Sequence, residues 1–484
     1  MVFSSHVFLF WFLPLALGIY YLSPKGAKAL VLTLFSYFFY GWANPLFAVL
    51  MLLCTAVNYA AGLVIARERG SRRPSLGEFE VLAPDSSRSR RQKLALFFSV
   101  FASLGMLAFF KYWNFGVENI ERLFAAFGLS QEGGFHLIHV VLPLGISFYT
   151  FQAMSYTIDV YRGQARAISS FTRFACYVSM FPQLVAGPIV RYQDVADQLR
   201  ERVHSLDKCT CGAAYLIVGL AQKILLANPC GRVADTCFNA ESRGMWDAWT
   251  GVCAYSFQIY FDFSGYSNMA IGLGLMLGFT FLRNFDSPYR SRGITDFWRR
   301  WHISLSTWLR DYLYVPLGGN RRGNVRTYVN LMLVMLIGGL WHGASWNFVL
   351  WGGGHGAWLA MERMISRRSK WRPPPVVSMV ATFVGVSLLW VLFRADSLDS
   401  AVDYYRSLLP GDGGRDGLVG AAIGNAYLVT SMVAAGLVVF AAPPAWQITQ
   451  HIGPVKALFL LIIFLASIAL LSSQSYNPFI YFIF

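Results

Sequence analysis

The chain has 484 residues, of which 56% are hydrophobic, 16% are aromatic and only 13% are charged. This composition leaves too little polar surface for several water-soluble domains, and it excludes disordered, collagen-like and disulfide-framework proteins. The formal net charge is +15, but the basic residues cluster between apolar runs, which indicates membrane topology and anionic lipid headgroups rather than nucleic acid. We therefore predict an all-α polytopic membrane protein.

Apolar runs follow one another along the chain, and about 20 apolar residues are needed for a helix to cross a bilayer. The first run has no basic residue before it and no small-residue cleavage site after it, so we expect a retained helix rather than a signal peptide. The runs lie near residues 3–22, 27–43, 45–66, 94–113, 138–160, 171–190, 209–229, 247–281, 328–362, 374–393, 419–441 and 455–474.

The charges of the loops predict the orientation of these runs. Residues 67–93 contain eight basic and four acidic residues, and residues 363–372 contain five basic residues and no acid. Because short basic loops stay in the cytoplasm, both segments are predicted to be cytoplasmic. Three runs precede the first of these loops, so the N-terminus is predicted outside, and the uncharged tail 472–484 is also predicted to end outside.

Two segments do not fit a straight membrane helix. In residues 181–190 (FPQLVAGPIV), two prolines and a glycine interrupt apolar sequence, which predicts a broken or re-entrant segment. Residues 294–316 predict one amphipathic helix at an interface, capped by Thr295 or Asp296 and ended by Pro316. Its apolar stripe consists of Trp298, Trp301, His302, Leu305, Trp308, Leu309 and Tyr312.

His342 is the strongest candidate for chemistry. It lies in GGLWHGASWNFVLWGGGHG, within the run 328–362, whose two basic ends predict a hairpin. The 16 residues that separate it from Arg326 span about 24 Å of helix, which takes the imidazole well into the membrane. An ionisable side chain at that depth predicts function. The alternative is a histidine that hydrogen-bonds a neighbouring carbonyl and serves packing alone.

Other polar side chains lie in apolar sequence. His302 is as consistent with a satisfied core histidine as with a functional one, and His355 is a weaker third candidate. A zinc site of these three histidines has no nearby cysteine or carboxylate, so no metal is predicted. Asp262 must have a partner, and an arginine of residues 283–300 as a structural brace is favoured slightly over direct chemistry.

Several common catalytic motifs are absent from the sequence: there is no GxSxG elbow, no GxxxxGK[ST] phosphate loop and no HExxH. The segment 283–326 instead holds nine arginines and three aspartates. A solvated cytoplasmic surface is the default interpretation, but guanidinium groups are also suited to a phosphate-bearing donor.

The motifs at 287–323 and 338–356 strongly resemble those of membrane-bound O-acyltransferases, and within that family the membrane subunits of bacterial alginate O-acetylation. Residues 181–192, 260–267 and 478–484 are similar to the same branch. The resemblance implies one domain over the whole chain in the bacterial inner membrane. In that domain, about 11 transmembrane helices (roughly 9 to 13), with re-entrant and amphipathic helices, surround a central funnel and tunnel, and both termini are periplasmic.

The resemblance also implies a reaction. Acetyl-CoA is the expected cytoplasmic donor, His342 matches the catalytic histidine, and His302 matches the second signature histidine. An imidazole suits the removal of a proton from an attacking hydroxyl at neutral pH. Trp341 and Asn347 are candidates for shaping the tunnel or stabilising an oxyanion, with Asp262 in support. The donor phosphates are expected to contact some of Arg290, Arg292, Arg299, Arg300, Arg321 and Arg322.

The acceptor is expected to be a periplasmic partner with an esterase-like (SGNH) serine, which passes acetyl to a polysaccharide such as alginate. Two alternatives stay open. One is acylation of another polymer, such as cellulose or a teichoic acid. The other is a glycan or lipid transporter that performs no chemistry, tolerates loss of the imidazole and cleaves no thioester.

Overall fold

The computed structural model describes residues 1–42, 44–67, 79, 81–83, 86–128, 139–369, 373–410, 417–474 and 476–478. Every regular element within these ranges is a helix, which confirms the all-α prediction there. The described residues group into two compact units, Met1–His204 with Leu277–Phe281 and Ser205–Met276 with Leu282–Phe484. Most of the predicted basic loop before residue 86, and residues 479–484 of the last family motif, lie outside the described residues.

The first unit begins with a short π-helix, Val7–Phe12, that continues directly into the first α-helix. The α-helices of this unit are α1 (Leu13–Leu22), α2 (Lys28–Gly41), α3 (Pro45–Ala66), α4 (Arg90–Ala126), α5 (Ile146–Arg162), α6 (Phe171–Ser179), α7 (Phe181–Leu184) and α8 (Tyr192–Arg200).

A buried amide joins three helices of the first unit. Asn58 on α3 accepts hydrogen bonds from Ser99 (2.8 Å) on α4 and Thr157 (2.9 Å) on α5, and it donates to Ser103 (2.9 Å). Polar side chains that satisfy one another in this way hold helices together where no water competes. The broken segment that was predicted over 181–190 is confirmed, since α7 is a single turn and every residue of the segment is buried.

The second unit contains the helices α9 (Leu206–Ala221), α10 (Asn228–Phe238), α11 (Met245–Met276), α12 (Ile294–Arg300), α13 (Ile303–Leu309), α14 (Asn324–His342), α15 (Trp346–Arg368), α16 (Pro375–Arg394), α17 (Leu398–Ser407), α18 (Gly417–Ile423), α19 (Ala426–Phe440), α20 (Ala445–Ile448) and α21 (Pro454–Ser473). π-Helical turns over Gln222–Ala227 and Arg310–Tyr314 follow α9 and α13, and a 3-10 turn covers Pro288–Arg290.

Several of these helices can cross a bilayer. Within the described residues, five are long and apolar enough: Pro45–Ala66, Arg90–Ala126, the continuous helix Leu206–Phe238, Pro375–Arg394 and Pro454–Ser473. Three shorter helices, Val7–Leu22, Lys28–Gly41 and Ala426–Phe440, are also apolar. The protein is therefore a multi-pass membrane protein.

Helix α11 lies in the core of the second unit, because 25 of its 32 residues are buried. Glycines let α9 approach it closely. A Cβ atom on Gly219 would lie 2.4 Å from the carbonyl oxygen of Gly265, and one on Gly212 would lie 2.6 Å from that of Gly272. Small residues at a helix crossing permit such backbone contact in membranes.

Asp262 on α11 forms a buried ion pair with Lys223, which lies in the π-helical turn after α9. Lys223 Nζ is 2.7 Å from Asp262 Oδ1, the two side chains are 3% and 1% exposed, and Lys223 also donates to the carbonyl of Pro478. The expected arginine partner from residues 283–300 is therefore wrong. A lysine 39 positions earlier along the chain takes its place because α9 and its π-helical turn pack against α11.

Removal of one partner of this pair should destabilise the protein more than removal of both. Asp262→Asn or Lys223→Met leaves a buried charge unpaired, and each should lower the free energy of unfolding by about 3–5 kcal/mol. The double variant Lys223→Met/Asp262→Leu should lose less, because no charge stays buried. Thermal unfolding of the purified protein in detergent measures this, and a double variant at least as unstable as both single variants would contradict the expectation.

Candidate active site

The chain breaks its helix at His302. The single amphipathic helix that was predicted over 294–316 is wrong: α12 ends at Arg300 and α13 begins at Ile303, and His302 between them has φ +44°. This left-handed conformation costs about 1–3 kcal/mol for a residue with a side chain. Surrounding contacts must therefore hold it in place.

Hydrogen bonds to the preceding loop explain the break. The N–H of Ile303 donates to the Asn284 carbonyl (2.9 Å), so it cannot continue the helix, and the carbonyl of Arg300 accepts from the N–H of Asp286 (3.0 Å). The Ser304 N–H donates to the side chain of Asn284 (3.1 Å). These bonds replace the bonds that a continuous helix would make four residues back.

The predicted apolar stripe is nevertheless on the inner side of both helices. Trp301, His302, Leu305, Trp308 and Leu309 are buried, and Trp298 and Tyr312 are partly buried. The stripe survives the break because one residue in a left-handed turn redirects the chain without exposing the side chains on either side. The 3.6-residue period therefore predicted the buried face correctly but not the continuity of the helix.

The predicted caps of this segment are wrong as well. The first helix begins at Ile294, one residue before Thr295, and a carboxylate from α15 caps it: Glu362 accepts from the N–H groups of Ile294 (2.6 Å) and Thr295 (3.3 Å). A negative charge at a helix N-terminus satisfies unpaired N–H groups and complements the helix dipole. Asp296 instead pairs with Arg300 at 2.9 Å.

Asn284 determines which nitrogen of His302 carries the proton. Complete burial lowers the pKa of His302 to about 3, so its imidazole is neutral at pH 7. Asn284 Oδ1 accepts from the Ser304 N–H, so this atom must be the amide oxygen, and His302 Nδ1, 3.2 Å away, must donate to it. The lone pair is therefore on Nε2, which has no hydrogen-bond partner within the described residues.

His342 lies where α14 ends and a short turn leads into α15. Glycines bring these two helices together: a Cβ on Gly339 would lie 2.2 Å from the carbonyl oxygen of Phe348, and one on Gly352 would lie 2.3 Å from that of Met335. A larger residue at either position would push the helices apart. The side chain of His342 is 8% exposed.

The structure brings the two predicted histidines together. The ring centroids of His302 and His342 are 6.4 Å apart. The ring of Trp341 contacts both, with centroid distances of 5.9 Å to His302 and 5.0 Å to His342. Trp351 and Phe393, each 5.2 Å from His342, pack against its ring in edge-on geometry. The pair therefore lies in largely buried, aromatic surroundings.

His355 is a third buried histidine, one turn along α15 from Trp351. It is fully buried, its ring is 4.8 Å from that of Trp351 and 5.1 Å from that of Trp298, and neither of its nitrogens has a hydrogen-bond partner in the described part of the chain. No group of three histidine, cysteine or carboxylate side chains within the described ranges has the arrangement of a metal site.

The six arginines that were candidates for the donor phosphates differ in their surroundings. Arg290 donates to the carbonyl of Val439 (2.9 Å), and Arg300 pairs with Asp296, so both already hold other parts of the second unit. The side chains of the other four are exposed: Arg292, Arg299, Arg321 and Arg322.

Asn347 has a structural contact. Its side-chain amide is 3% exposed and donates to the carbonyl of Ala395 (2.6 Å), which braces α15 against the end of α16. The second unit also contains a cavity of about 230 Å³, lined mainly by apolar residues that include Val218, Leu226 and Tyr260. His302 and His342 do not line this cavity, so it is not the predicted tunnel at His342.

Sequence reasoning missed Asn284, Glu362 and Lys223. Asn284 precedes His302 by 18 positions, and Glu362 follows Ile294 by 68 positions. No local period in the sequence connects residues this far apart. The sequence does place Asn284 in the loop between the predicted run 247–281 and the tryptophan-rich segment. An amide just after a membrane helix could have been noted as a candidate.

The Glu362 cap should contribute measurably to stability. Glu362→Ala leaves two N–H groups of α12 without their acceptor and should cost about 0.5–2 kcal/mol, whereas Glu362→Gln, which keeps one acceptor oxygen, should cost less. The exposed Glu241 offers a matched control, because Glu241→Ala should change little. Melting temperatures in detergent test this order, and equal values for Glu362→Ala and Glu241→Ala would rule out the cap.

Comparison with known proteins agrees with this architecture. Residues 162–393 match the model of the membrane-bound O-acyltransferase family. The chain is 43% identical to the probable alginate O-acetylase AlgI of Pseudomonas putida and 41% identical to that of Azotobacter vinelandii, with full coverage of both chains in each case. It is 34% identical to the peptidoglycan O-acetyltransferase of Helicobacter pylori, over 84% of this chain and 80% of the relative. The protein is an acyltransferase and belongs to the membrane-bound O-acyltransferase family.

Proposed function

We propose that this protein transfers an acetyl group from cytoplasmic acetyl-CoA to a hydroxyl group on the periplasmic side of the inner membrane, in the O-acetylation of alginate. Full-length similarity to alginate O-acetylases supports the polymer and the acyl group. The observation that carries the catalytic part of the proposal is the pairing of His302 with His342, 6.4 Å apart between ring centroids.

The two imidazoles are too far apart to hydrogen-bond each other. An imidazole nitrogen lies about 1 Å from its ring centroid, so a direct N–H···N bond would place the centroids within about 5 Å of each other. At 6.4 Å the two rings do not bond directly. Each imidazole can therefore contact a different group of a bound substrate in this proposal.

The two histidines have different roles in this proposal. With a pKa of about 3, His302 is too weak a base to hold a proton at pH 7, but its Nε2 lone pair accepts an N–H or O–H of the substrate. His342 is slightly exposed and removes the proton from the acceptor hydroxyl. The oxygen attacks the thioester carbonyl, the C–O bond forms and the C–S bond breaks. His342 then returns the proton to the CoA sulfur, which leaves as a thiol.

The donor would enter from the cytoplasm. The exposed arginines in the predicted cytoplasmic segment 283–326 are suited to the phosphates of CoA, because guanidinium groups bind phosphate oxygens in bidentate geometry. In the proposed arrangement, about 11 transmembrane helices surround a funnel and tunnel, and the hairpin 328–362 carries His342 to their meeting point. The termini are periplasmic, and the 67–93 loop is cytoplasmic.

A periplasmic esterase-like partner would receive the acetyl group on a serine and pass it to the polysaccharide. Trp341, which contacts both imidazoles, would shape the path of the acetyl group. Asp262 would act at a distance, through the ion pair that fixes α11, rather than on the substrate. Asn347 would act through the position of α15.

Replacement of His342 tests the base. With purified protein, labelled acetyl-CoA and the partner, His342→Ala should reduce acetyl transfer and thiol release by about 10²–10⁴-fold, the usual contribution of a positioned base. The exposed His139 provides a control, since His139→Ala should leave both rates unchanged. Equal labelling by wild type and His342→Ala protein would show that His342 is not the base. An absence of thiol release by wild-type protein with its partner would favour the transporter alternative.

A substitution at Asn284 tests the role of the lone pair on His302. In Asn284→Asp, a carboxylate would face the Nδ1–H group and favour the imidazolium form, so the pKa of His302 would rise. When the pH is lowered, Asn284→Asp should therefore lose activity at a higher pH than the wild-type protein does. The reason is that a protonated His302 cannot accept a hydrogen bond at Nε2. Asn284→Ala should lower kcat at every pH. If both variants showed the same pH–rate profile as the wild-type protein, a role for this lone pair would be excluded.

A further inference from the structure

A second polar cluster occurs in the first unit, around the buried ring of Tyr20 at the end of α1. Tyr20 is 1% exposed, and its hydroxyl donates to the carbonyl of Leu277 (2.8 Å). A phenol has one hydrogen to donate, so its other two contacts must donate to it. These are Arg202 Nη1 (3.1 Å) and His204 Nε2 (3.1 Å). The hydroxyl therefore fixes the positions of an arginine and a histidine.

A lysine also contacts the Tyr20 ring. Lys28 Nζ lies 4.6 Å from the centroid of the Tyr20 ring, and the Arg202 guanidinium lies 6.0 Å from the same centroid and 4.7 Å from that of Phe279. Cation–π contacts of this kind hold cations in place without neutralising them. Two full positive charges and an imidazole thus surround one aromatic ring.

Helix α2 adds a positive end to this arrangement. Lys28 is its first residue, the capping residue Ala27 offers no side chain to the unpaired N–H groups, and the first turn contains no acid. The N-terminus of a helix favours a negative charge, so a lysine there is electrostatically unfavourable. A bound anion would accept hydrogen bonds from the unpaired N–H groups of the helix end and would offset the positive charge of Lys28.

The fold supplies no such anion within the described residues. Neither Lys28 nor Arg202 forms an ion pair with any carboxylate there. Like charges held this close repel one another, and a fixed cluster of them is retained more readily when it binds a ligand of opposite charge. Arginine and lysine N–H donors together suit the oxygens of a phosphate group.

We propose that Lys28 and Arg202, held with His204 beside Tyr20, form a phosphate-binding site of the first unit. Because the N-terminus is predicted outside and one apolar run precedes Lys28, the turn before Lys28 is predicted to be cytoplasmic, at the depth of lipid headgroups. The phosphate could belong to an anionic phospholipid or to a soluble phosphorylated molecule. The site is defined by its fixed donors rather than by net charge, and this difference makes it testable.

Tyr20→Phe is the sharpest variant, because it removes the hydroxyl that positions Arg202 and His204 but changes no charge. Binding of inorganic pyrophosphate to the full-length protein in detergent, measured by calorimetry, should weaken about fivefold, as expected for lost hydrogen bonds of about 1 kcal/mol. Lys28→Gln/Arg202→Gln should abolish the binding. Arg91→Gln/Lys93→Gln removes the same charge from exposed residues at the start of α4 and should bind as wild type does.

A second arm of the experiment distinguishes the source of the phosphate. Native mass spectrometry should compare the retention of phosphatidylglycerol with that of phosphatidylcholine by the same proteins. Saturable pyrophosphate binding that Tyr20→Phe weakens supports a soluble ligand, and selective retention of phosphatidylglycerol that Tyr20→Phe reduces supports a lipid headgroup. Lys28→Arg keeps the charge and should retain either binding, which controls for misfolding. If Tyr20→Phe and the Arg91/Lys93 control are indistinguishable in both arms, the site does not exist.

Discussion

The side chain of Asn284 is the constraint on which the candidate site depends. One amide oxygen accepts from the backbone of Ser304, from its hydroxyl and from the ring of His302, all of them buried. Together with the neighbouring backbone bonds, these contacts interrupt the tryptophan-rich helix and hold His302 in a left-handed conformation. The same contacts leave the Nε2 lone pair of the imidazole without a hydrogen-bond partner in the described part of the chain.

The position of His342 has a different physical origin. Contacts between backbone atoms at Gly339 and Gly352 bring α14 and α15 close enough to place the histidine at the turn that joins them. The rings of Trp341, Trp351 and Phe393 then pack against it. A neutral imidazole is tolerated in such surroundings, whereas a permanently charged base would be costly.

The sequence predicted the parts of this arrangement that depend on local pattern. Apolar length indicated membrane helices such as Pro45–Ala66 and Pro454–Ser473, the glycines around His342 indicated close helix packing, and the 3.6-residue stripe identified the buried face of the segment that contains His302. It could not predict the break at His302, because the competing bonds come from Asn284 on a preceding loop. For the same reason it predicted the wrong partner for Asp262 and the wrong cap for α12, since Lys223 and Glu362 reach them through tertiary packing alone.

In the proposed mechanism, His302 and His342 jointly hold the reacting groups of an acetyl transfer. A cryo-electron microscopy structure of the full-length protein with a non-hydrolysable acetyl-CoA analogue tests it most directly. The carbonyl of the analogue should lie beside His342, with a polar group of the bound molecule in hydrogen-bond contact with Nε2 of His302. An analogue bound with its carbonyl away from both imidazoles, or a pair of rings closed onto each other with no ligand between them, would contradict it.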